Sequence, residues 1–489
     1  MIGQATLPTP ELAFEPLLPE LLLAAFAIVG LLYEAFAKRS ESLLHLSIGL
    51  VGVALAGATS LWLWGWDGSA TVLAGTVAAD RFAVLARLIL LAVAALGLIL
   101  GHQYFERSGD EPRGEFAPLI LFATSGMTLI VAAADLIVVF LALEILSLSL
   151  YVLTGLTGRR AANEAAMKYF LLGAFSSAFF LYGVAMAYGA TGTTKIGPTA
   201  TALTGGGGGS QALAVLGFAL LAVGFGFKVS AVPFHMWTPD VYQGAPTPVT
   251  AFMSAATKIA AFGALIRVLD VAFQPLGWDW APILWALAAV SVVVGSILAI
   301  AQSDVKRMLA YSSIAHAGFI LTGLTAPGAE GIRSALFYLV AYAAMTVGAF
   351  GSVMLVSGRG EERTRLSDYT GLARTSPLAA GLMTLFLLSL AGIPPTAGFI
   401  AKVNVFSAAI GAGYWVLALI GVLASVAAAF FYLRVIVLMY MQEPADGRTP
   451  EQAGLTGAIL AVPAAATILL GVFPGLIFGI VEEASVLRW

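Results

Sequence analysis

The chain has 489 residues, of which 60% are hydrophobic and only 10% are charged, and its formal net charge is −3. Soluble proteins carry about 25% charged residues, so this composition excludes an ordinary water-exposed surface. The lack of cysteine excludes disulfides, all-cysteine zinc sites and cysteine-bound iron–sulfur clusters. The four histidines are scattered and no glycine-rich nucleotide fingerprint follows a strand, so we expect no redox centre or cofactor in this polypeptide.

Apolar blocks long enough to cross a bilayer, about 20 residues each, recur along the chain. Continuous apolar runs favour helices, because every backbone polar group in lipid needs a partner within the segment. Residues 1–19 contain no lysine or arginine, so no cleavable leader is expected. We predict an all-α integral membrane protein of about 14 transmembrane helices, at roughly 17–37, 43–64, 81–101, 115–133, 135–157, 163–190, 211–231, 248–270, 282–302, 306–325, 331–357, 376–411, 413–441 and 455–481.

The basic residues are distributed unevenly between the predicted loops. Loops that follow odd-numbered spans hold 13 lysines and arginines, whereas the even loops and the two tails hold 4. Positive charge marks the cytoplasmic side of a membrane protein. Both termini of this multi-pass protein are therefore predicted to face away from the cytoplasm.

Two short patterns occur twice in the same order. Asp135 followed by LTGL at 153–156 has a counterpart in Asp304 followed by LTGL at 321–324, at an offset of 168–169 positions. The pattern GFxxK ending at Lys228 is echoed by the one ending at Lys402, at an offset of 174 positions. The matches predict two homologous five-helix units, in which Lys228 and Lys402 are equivalent.

The predicted units imply a domain organisation. An N-terminal three-helix segment (1–114) precedes the first unit (115–270), and a C-terminal helix (442–489) follows the second unit (282–441). Because five spans is an odd number, equivalent helices would run in opposite directions, so the repeats are inverted. Prolines predict a broken helix in each unit, near Pro233 and near Pro394, and transporters often place a midplane site at such breaks.

Five of the ionisable side chains inside apolar spans form the candidate site: Glu144, Lys228, Lys258, His316 and Lys402. An intramembrane charge costs roughly 2.5–3.5 kcal/mol, so such residues are functional by default. The structural alternatives are a fixed ion pair, snorkelling of the lysines to the interface and, for His316, an ordinary hydrogen-bonded interior residue.

A lysine carries one removable proton, and its surroundings decide whether the proton stays. Burial favours the neutral amine, whereas a nearby carboxylate favours the charged form. Movement of Glu144 toward or away from a lysine would therefore switch that lysine between holding and releasing a proton. His316 could relay protons near neutral pH.

We interpret the other basic residues inside spans as snorkelling or paired side chains. Arg87, Lys168 and Arg267 lie within about two turns of a helix end, so they are expected to snorkel. Lys168 is also placed to pair with Glu164 on the same helix face. Arg434 cannot usefully deprotonate and is predicted to be an electrostatic partner.

Two longer motifs resemble a known family. The stretch 228–252, KVSAVPFHMWTPDVYQGAPTPVTAF, is similar to the signature of the antiporter-like subunits of respiratory complex I, and 304–318, DVKRMLAYSSIAHAG, looks like a second block of that family. From chemistry alone, the proline-rich part of the first motif is compatible with gating or with plain architecture. Gln243 departs from the glutamate that is common in the family at that turn, which weakens any claim of a role there.

The resemblance implies that Glu144, Lys228, Lys258 and Lys402 carry protons in a bacterial inner-membrane NADH–quinone oxidoreductase. It also implies inverted units with broken helices. NADH, FMN, iron–sulfur clusters and quinone would bind to partner subunits, and the partners would be other membrane subunits and the lipid bilayer, with no nucleic acid. The span count, Lys402 and the Pro394-Pro395 turn look most like the subunit N branch.

Two other hypotheses stay open from the sequence. The first is a subunit of a multi-subunit cation/proton antiporter, which shares the fold and the motif. The second is a non-conducting scaffold that only spaces other membrane subunits. Whether Lys258 is a stop on the proton route or a residue that modulates it also stays open.

Overall fold

The computed structural model describes residues 13–37, 41–108, 114–204, 210–357, 362–444 and 454–488. Within these ranges the chain is predominantly helical, and its only sheet is an antiparallel pair of β1 (Thr71–Val72) and β2 (Val77–Ala78). The helices in chain order are α1 (Leu18–Phe36), α2 (Ser42–Leu63), α3 (Arg81–Ser108), α4 (Phe116–Ala132), α5 (Leu136–Gly155), α6 (Arg160–Thr191), α7 (Ile196–Thr204), α8 (Gln211–Val229), α9 (Trp237–Gly244), α10 (Thr247–Arg267), α11 (Gly277–Ile300), α12 (Val305–Leu324), α13 (Ala329–Val356), α14 (Leu372–Thr375), α15 (Pro377–Ala391), α16 (Ala397–Gly411), α17 (Trp415–Met441), α18 (Gly454–Val472) and α19 (Gly475–Ala484).

Eleven helices among the described residues are long and apolar enough to cross a membrane. Three further apolar helices, α4, α15 and α16, are shorter. These helices confirm the predicted all-α membrane class, whereas the count of fourteen spans stays a prediction. The β-hairpin and the loop helix α7 were not predicted.

The centre of the molecule is formed by α10 and α13, which pack against each other. Every residue of α10 is buried, because α3, α4, α8 and α13 surround it. The N-terminal helices α1 and α2 pack on α3 and α4, and α18 covers α13 on another side. Residues of α10 are therefore shielded from lipid by protein on all sides.

Two aspartates begin helices in the same way. Asp135 caps α5 by accepting a hydrogen bond from the backbone N–H of Ile137 (2.8 Å), and Asp304 caps α12 by accepting from Arg307 N–H (2.9 Å). Such caps satisfy backbone donors that have no partner inside the helix. Each aspartate also forms an isolated bridge with a later loop, at Lys195 and Arg365 respectively. The two motifs are separated by 169–170 positions, close to the offset predicted from the sequence.

A matching close contact joins the helices before and after each cap. A Cβ on Gly126 of α4 would lie 2.7 Å from the backbone nitrogen of Leu146 in α5. A Cβ on Gly295 of α11 would lie 2.5 Å from the backbone nitrogen of Ala315 in α12. Small residues allow such backbone contact between membrane helices. Both pairs are again separated by 169 positions, so α4–α5 and α11–α12 pack alike.

Both predicted helix breaks are present in the structure. The helix α8 ends where Ser230 takes a left-handed conformation (φ 65°), and α15 ends where Gly392 does (φ 83°). Each end is closed by an equivalent hydrogen bond, from Ala231 N–H to Gly226 C=O (2.8 Å) and from Ile393 N–H to Leu388 C=O (3.0 Å). The corresponding residues of the two breaks are therefore 162 positions apart.

Candidate functional site

The break after α8 turns a backbone carbonyl toward a lysine of the central helix. The last carbonyls of a helix have no partner inside the helix and form the negative end of its dipole. The Val229 carbonyl accepts a hydrogen bond from Lys258 Nζ at 2.8 Å. Lys258 is 1% exposed, so the break supplies an acceptor for an ammonium group deep inside the protein.

Lys228 lies one residue before the end of α8 and is 3% exposed. Its Nζ donates to the hydroxyl of Ser147 on α5 at 2.7 Å. It also lies 5.6–5.7 Å from the ring centres of Tyr151, Tyr169 and Phe227, a distance at which aromatic faces attract a cation. The described part of the chain therefore gives Lys228 a neutral environment that tolerates its charge without a carboxylate in contact.

Glu144 lies one helical turn before Ser147 on α5 and is half-buried. Its carboxylate accepts a hydrogen bond from the hydroxyl of Ser177 on α6. Among the described residues no ion pair joins Glu144 to Lys228, although its charge acts on that lysine. The glutamate is therefore placed to influence Lys228 from a distance.

Lys402 lies in α16, which follows the second break, and is 5% exposed. Its Nζ donates to the carbonyls of Leu390 (3.1 Å) and Ala391 (2.7 Å) at the end of α15, and to the hydroxyl of Ser425 on α17 (2.6 Å). The Phe319 ring lies 4.9 Å from the same nitrogen. As at the first break, the helix end supplies acceptors for a buried lysine.

The predicted equivalence of Lys228 and Lys402 is wrong. The backbone hydrogen bonds that end α8 and α15 are 162 positions apart, so Leu390 occupies the position of Lys228 and Asp240 occupies that of Lys402. The short sequence pattern matched at an offset of 174 because glycine, phenylalanine and lysine recur around both breaks. The residue that does resemble Lys402 in its bonding is Lys258, since both bind the free carbonyl end of a broken helix.

His316 lies between the two breaks, buried on α12. Its Nδ1 is 2.7 Å from the hydroxyl of Tyr338, and its Nε2 is 3.3 Å from the hydroxyl of Tyr432. Its ring centre lies 5.7 Å from that of Phe319, the same ring that faces Lys402 Nζ. The structure therefore brings His316 into the interior cluster around Lys402.

Two arginines do not snorkel as predicted. Arg87 is 1% exposed and its guanidinium donates to Glu20 Oε1 at 2.8 Å, and Arg267 is 3% exposed and donates to Asp80 Oδ2 at 2.9 Å. The sequence interpretation missed both acidic partners. The available signal was a carboxylate at the start of an apolar span, in Glu20 and again in Asp80 just before α3.

The remaining cations lie toward the helix ends. Lys168 pairs with Glu164 as predicted (2.9 Å) and also with Asp240 of α9 (2.8 Å). Arg307 donates to the other carboxylate oxygen of Asp240 (2.6 Å) and to the side-chain oxygen of Gln243 (3.0 Å). The proline-rich motif is thus tied to both α6 and α12.

Arg434 is exposed and donates to the Ile300 carbonyl at 3.3 Å, at the end of α11. A cation beside the carbonyl end of a helix interacts favourably with its dipole. Within the described ranges no group of three or more histidine, aspartate or glutamate side chains is placed to hold a metal ion.

Comparison with known proteins places this arrangement in a family. Residues 133–428 match the model of the family "NADH:quinone oxidoreductase/Mrp antiporter, TM". NADH-quinone oxidoreductase subunit N of Acidothermus cellulolyticus is 45% identical, over 98% of this chain and 97% of its own. The subunit N protein of Trichlorobacter lovleyi is also 45% identical, over 96% of each chain. The chain belongs to the NADH:quinone oxidoreductase/Mrp antiporter transmembrane family.

Solved structures share the fold. A chain of respiratory complex I from Thermus thermophilus with bound aureothin superposes with a TM-score of 0.80 at 35% identity, covering 94% of this chain and 99% of that one. A chain of the Mrp complex from Dietzia sp. superposes with a TM-score of 0.85 at 23% identity, covering 96% of this chain and 97% of that one, which shows a common fold. The antiporter-like architecture predicted from the two motifs is confirmed.

Proposed function

We propose that this chain is a proton-translocating membrane subunit of an NADH–quinone oxidoreductase. The relatives that are 45% identical over nearly the full length carry the name subunit N of that enzyme. In the proposal, the chain acts as a non-redox part of a translocase, and NADH, FMN, iron–sulfur clusters and quinone bind to other subunits. Its partners are the other membrane subunits of the complex.

One observation supports proton transfer above all. Lys228, Lys258 and Lys402 are buried, and within the described residues their hydrogen bonds go to hydroxyl and carbonyl oxygens. A neutral acceptor can remain hydrogen-bonded whether the lysine is charged or neutral, because the amine keeps N–H donors after it loses a proton. A carboxylate partner would instead hold the proton on the lysine.

We propose that the route runs from Lys228 and Lys258 through His316 to Lys402, with Glu144 as a modulator of Lys228. The tyrosine hydroxyls around His316 would carry the proton between the two breaks. Protons would enter from the cytoplasm near the first break and leave on the other side near the second. The uneven distribution of basic residues between the loops supports this sidedness, with both termini on the non-cytoplasmic side of the bacterial inner membrane.

We further propose that residues 115–270 and 282–441 are inverted copies of one five-helix unit. The matched aspartate caps, the matched glycine contacts of α4–α5 and α11–α12, and the matched helix breaks all support it. Residues 1–114 and 442–489 would flank the two units. Each unit would then contribute one helix break that binds a lysine.

The test is NADH-driven proton uptake into inverted membrane vesicles that contain Lys228→Ala in the whole complex. The change removes the proton carrier at the first break, so we expect proton uptake to fall severalfold while the complex assembles. Arg333→Gln, which removes an exposed cation paired with Glu330, is the matched control and should pump normally. Unchanged uptake per NADH oxidised in Lys228→Ala would contradict the proposal.

The antiporter alternative makes a different prediction for the same vesicles. A cation/proton antiporter subunit would move protons in response to a sodium gradient without NADH. Proton movement that requires NADH and ignores sodium supports the oxidoreductase assignment. Sodium-driven movement that disappears in Lys228→Ala would instead assign the chain to an antiporter complex.

A further inference from the structure

A fully buried lysine at the start of α12 contacts the turn between α9 and α10. Lys306 is 0% exposed, although its neighbours Asp304 and Arg307 reach the surface. Its Nζ donates to the Ala245 carbonyl at 2.6 Å and to Glu362 Oε2 at 2.8 Å. The other oxygen of the same carboxylate accepts from the Thr247 backbone N–H at 2.9 Å.

The signs of these two charges match the helix ends that they touch. Ala245 follows the last residue of α9, where free carbonyls make the helix end negative, and Lys306 binds there. Thr247 is the first residue of α10, where free N–H groups make the end positive, and Glu362 binds there. The pair therefore caps both helices of the turn at once.

Both charged residues are fixed to the second predicted unit. Residues 362–366 pair with the start of α12, through Val305 N–H to Thr364 C=O (2.6 Å) and Leu366 N–H to Ser303 C=O (2.9 Å). Burial alone would raise the pKa of Glu362, but the Lys306 charge and the hydrogen bonds from Lys306 and Thr247 hold that pKa below its ordinary value. The carboxylate is thus ionised in its position between the units.

The matching position in the first unit has no such pair. Counting back by the 169 positions between the two aspartate caps places Ile137 where Lys306 stands. Counting back by the 170 positions between their bridge partners places Gly192 where Glu362 stands. The cap and bridge form there with no charge at these two positions, so the fold of this motif does not require the Lys306 and Glu362 charges. Their presence in the second unit needs a separate reason.

We infer that Lys306 and Glu362 form a clasp by which the second unit positions the α9–α10 turn, and with it the helix break that binds Lys258. The inference rests on the proposed function, since the break matters because of its lysines. The turn joins α9, which contacts the helix break, to α10, which carries Lys258. Through α9 it reaches the break itself, where Trp237 Nε1 donates to the Phe227 carbonyl (2.9 Å) and Thr238 donates to Ser230 (2.7 Å). Through α10 it reaches Lys258, three helical turns after Thr247.

The experiment compares the whole complex with and without the clasp. Lys306→Met/Glu362→Gln removes both charges together, so no uncompensated charge is left buried. Ala245→Cys, placed in both backgrounds, reports on the turn, because the chain has no other cysteine and Ala245 is 1% exposed. We expect the clasp variant to assemble, to react severalfold faster with a maleimide at the introduced thiol and to pump severalfold fewer protons per NADH.

The control is the double neutralisation of the exposed pair Glu330→Gln/Arg333→Gln, which should change neither readout. Normal labelling and normal pumping in the clasp variant would overturn the inference. If the clasp variant does not assemble, Glu362→Asp replaces it, because this change keeps the charge but shortens the side chain. Normal labelling and normal pumping in Glu362→Asp would equally overturn the inference. The labelling rate does not depend on proton transfer. The labelling experiment therefore tests the clasp even if Lys228→Ala pumps normally and the proposed function fails.

Discussion

Apart from Lys306 of the clasp, the buried lysines and arginines occupy two regions that differ in their hydrogen-bond partners. At the junction of the N-terminal helices with the centre of the molecule, Arg87 and Arg267 are each bound to a buried carboxylate, Glu20 and Asp80. At the two helix breaks, the buried lysines donate to hydroxyls and backbone carbonyls instead.

Under the proposed function, the difference separates fixed charges from charges that move. Arginine keeps its proton in proteins, and a carboxylate beside it completes a neutral, fixed pair. Lysine loses its proton readily when it is buried, and neutral oxygen acceptors do not prevent the loss. We therefore interpret the arginine region as structural and the lysine region as the part that carries protons.

The largest expected effect comes from breaking an arginine pair. Asp80→Asn leaves Arg267 buried without its countercharge, which costs about 3–5 kcal/mol. We expect little assembled complex on native gels, and a double variant Asp80→Asn/Arg267→Gln should recover much of it. Because the pair is fixed, the recovered complex should pump normally per NADH. Normal assembly of the single variant would show that the pair does not hold the helices together.

An arginine placed in the lysine region tests whether that region needs only a charge or a removable proton. Lys228→Arg keeps the positive charge near Ser147 and the aromatic rings but cannot release a proton. We expect the complex to assemble and its proton uptake in inverted vesicles to fall severalfold, as for Lys228→Ala. Normal uptake with arginine at 228 would mean that this position needs only a fixed charge, like Arg267.

The sequence predicts much of the lysine region because its signals are local. Prolines mark both breaks, and Lys228, Lys258 and Lys402 stand out as charges inside apolar runs. The equivalence of Lys228 and Lys402 was predicted wrongly, because a short GFxxK pattern does not show where α8 and α15 end. Only the backbone hydrogen bonds at those ends show which residues correspond.

The arginine pairs and the clasp could not be predicted in the same way. Arg87 and Glu20 are 67 residues apart, and Arg267 and Asp80 are 187 apart, so only the packed structure brings them together. The complete burial of Lys306 depends on the α9–α10 turn, which is distant in sequence.

The smallest expected effects distinguish the two breaks from each other. Lys228 donates a hydrogen bond to the Ser147 hydroxyl. Lys402 donates to two backbone carbonyls in addition to the Ser425 hydroxyl. A hydrogen bond contributes about 1 kcal/mol net, which corresponds to a factor of about five. Ser147→Ala should therefore lower the proton uptake rate more than Ser425→Ala does, by about fivefold against less than twofold. Both rates are measured per assembled complex, with Ser47→Ala, whose exposed hydroxyl donates to the Leu43 carbonyl within α2, as the control. Equal losses in the two variants would show that the backbone carbonyls of α15 do not hold the Lys402 ammonium, and the parallel between the breaks would then rest on Lys258 alone.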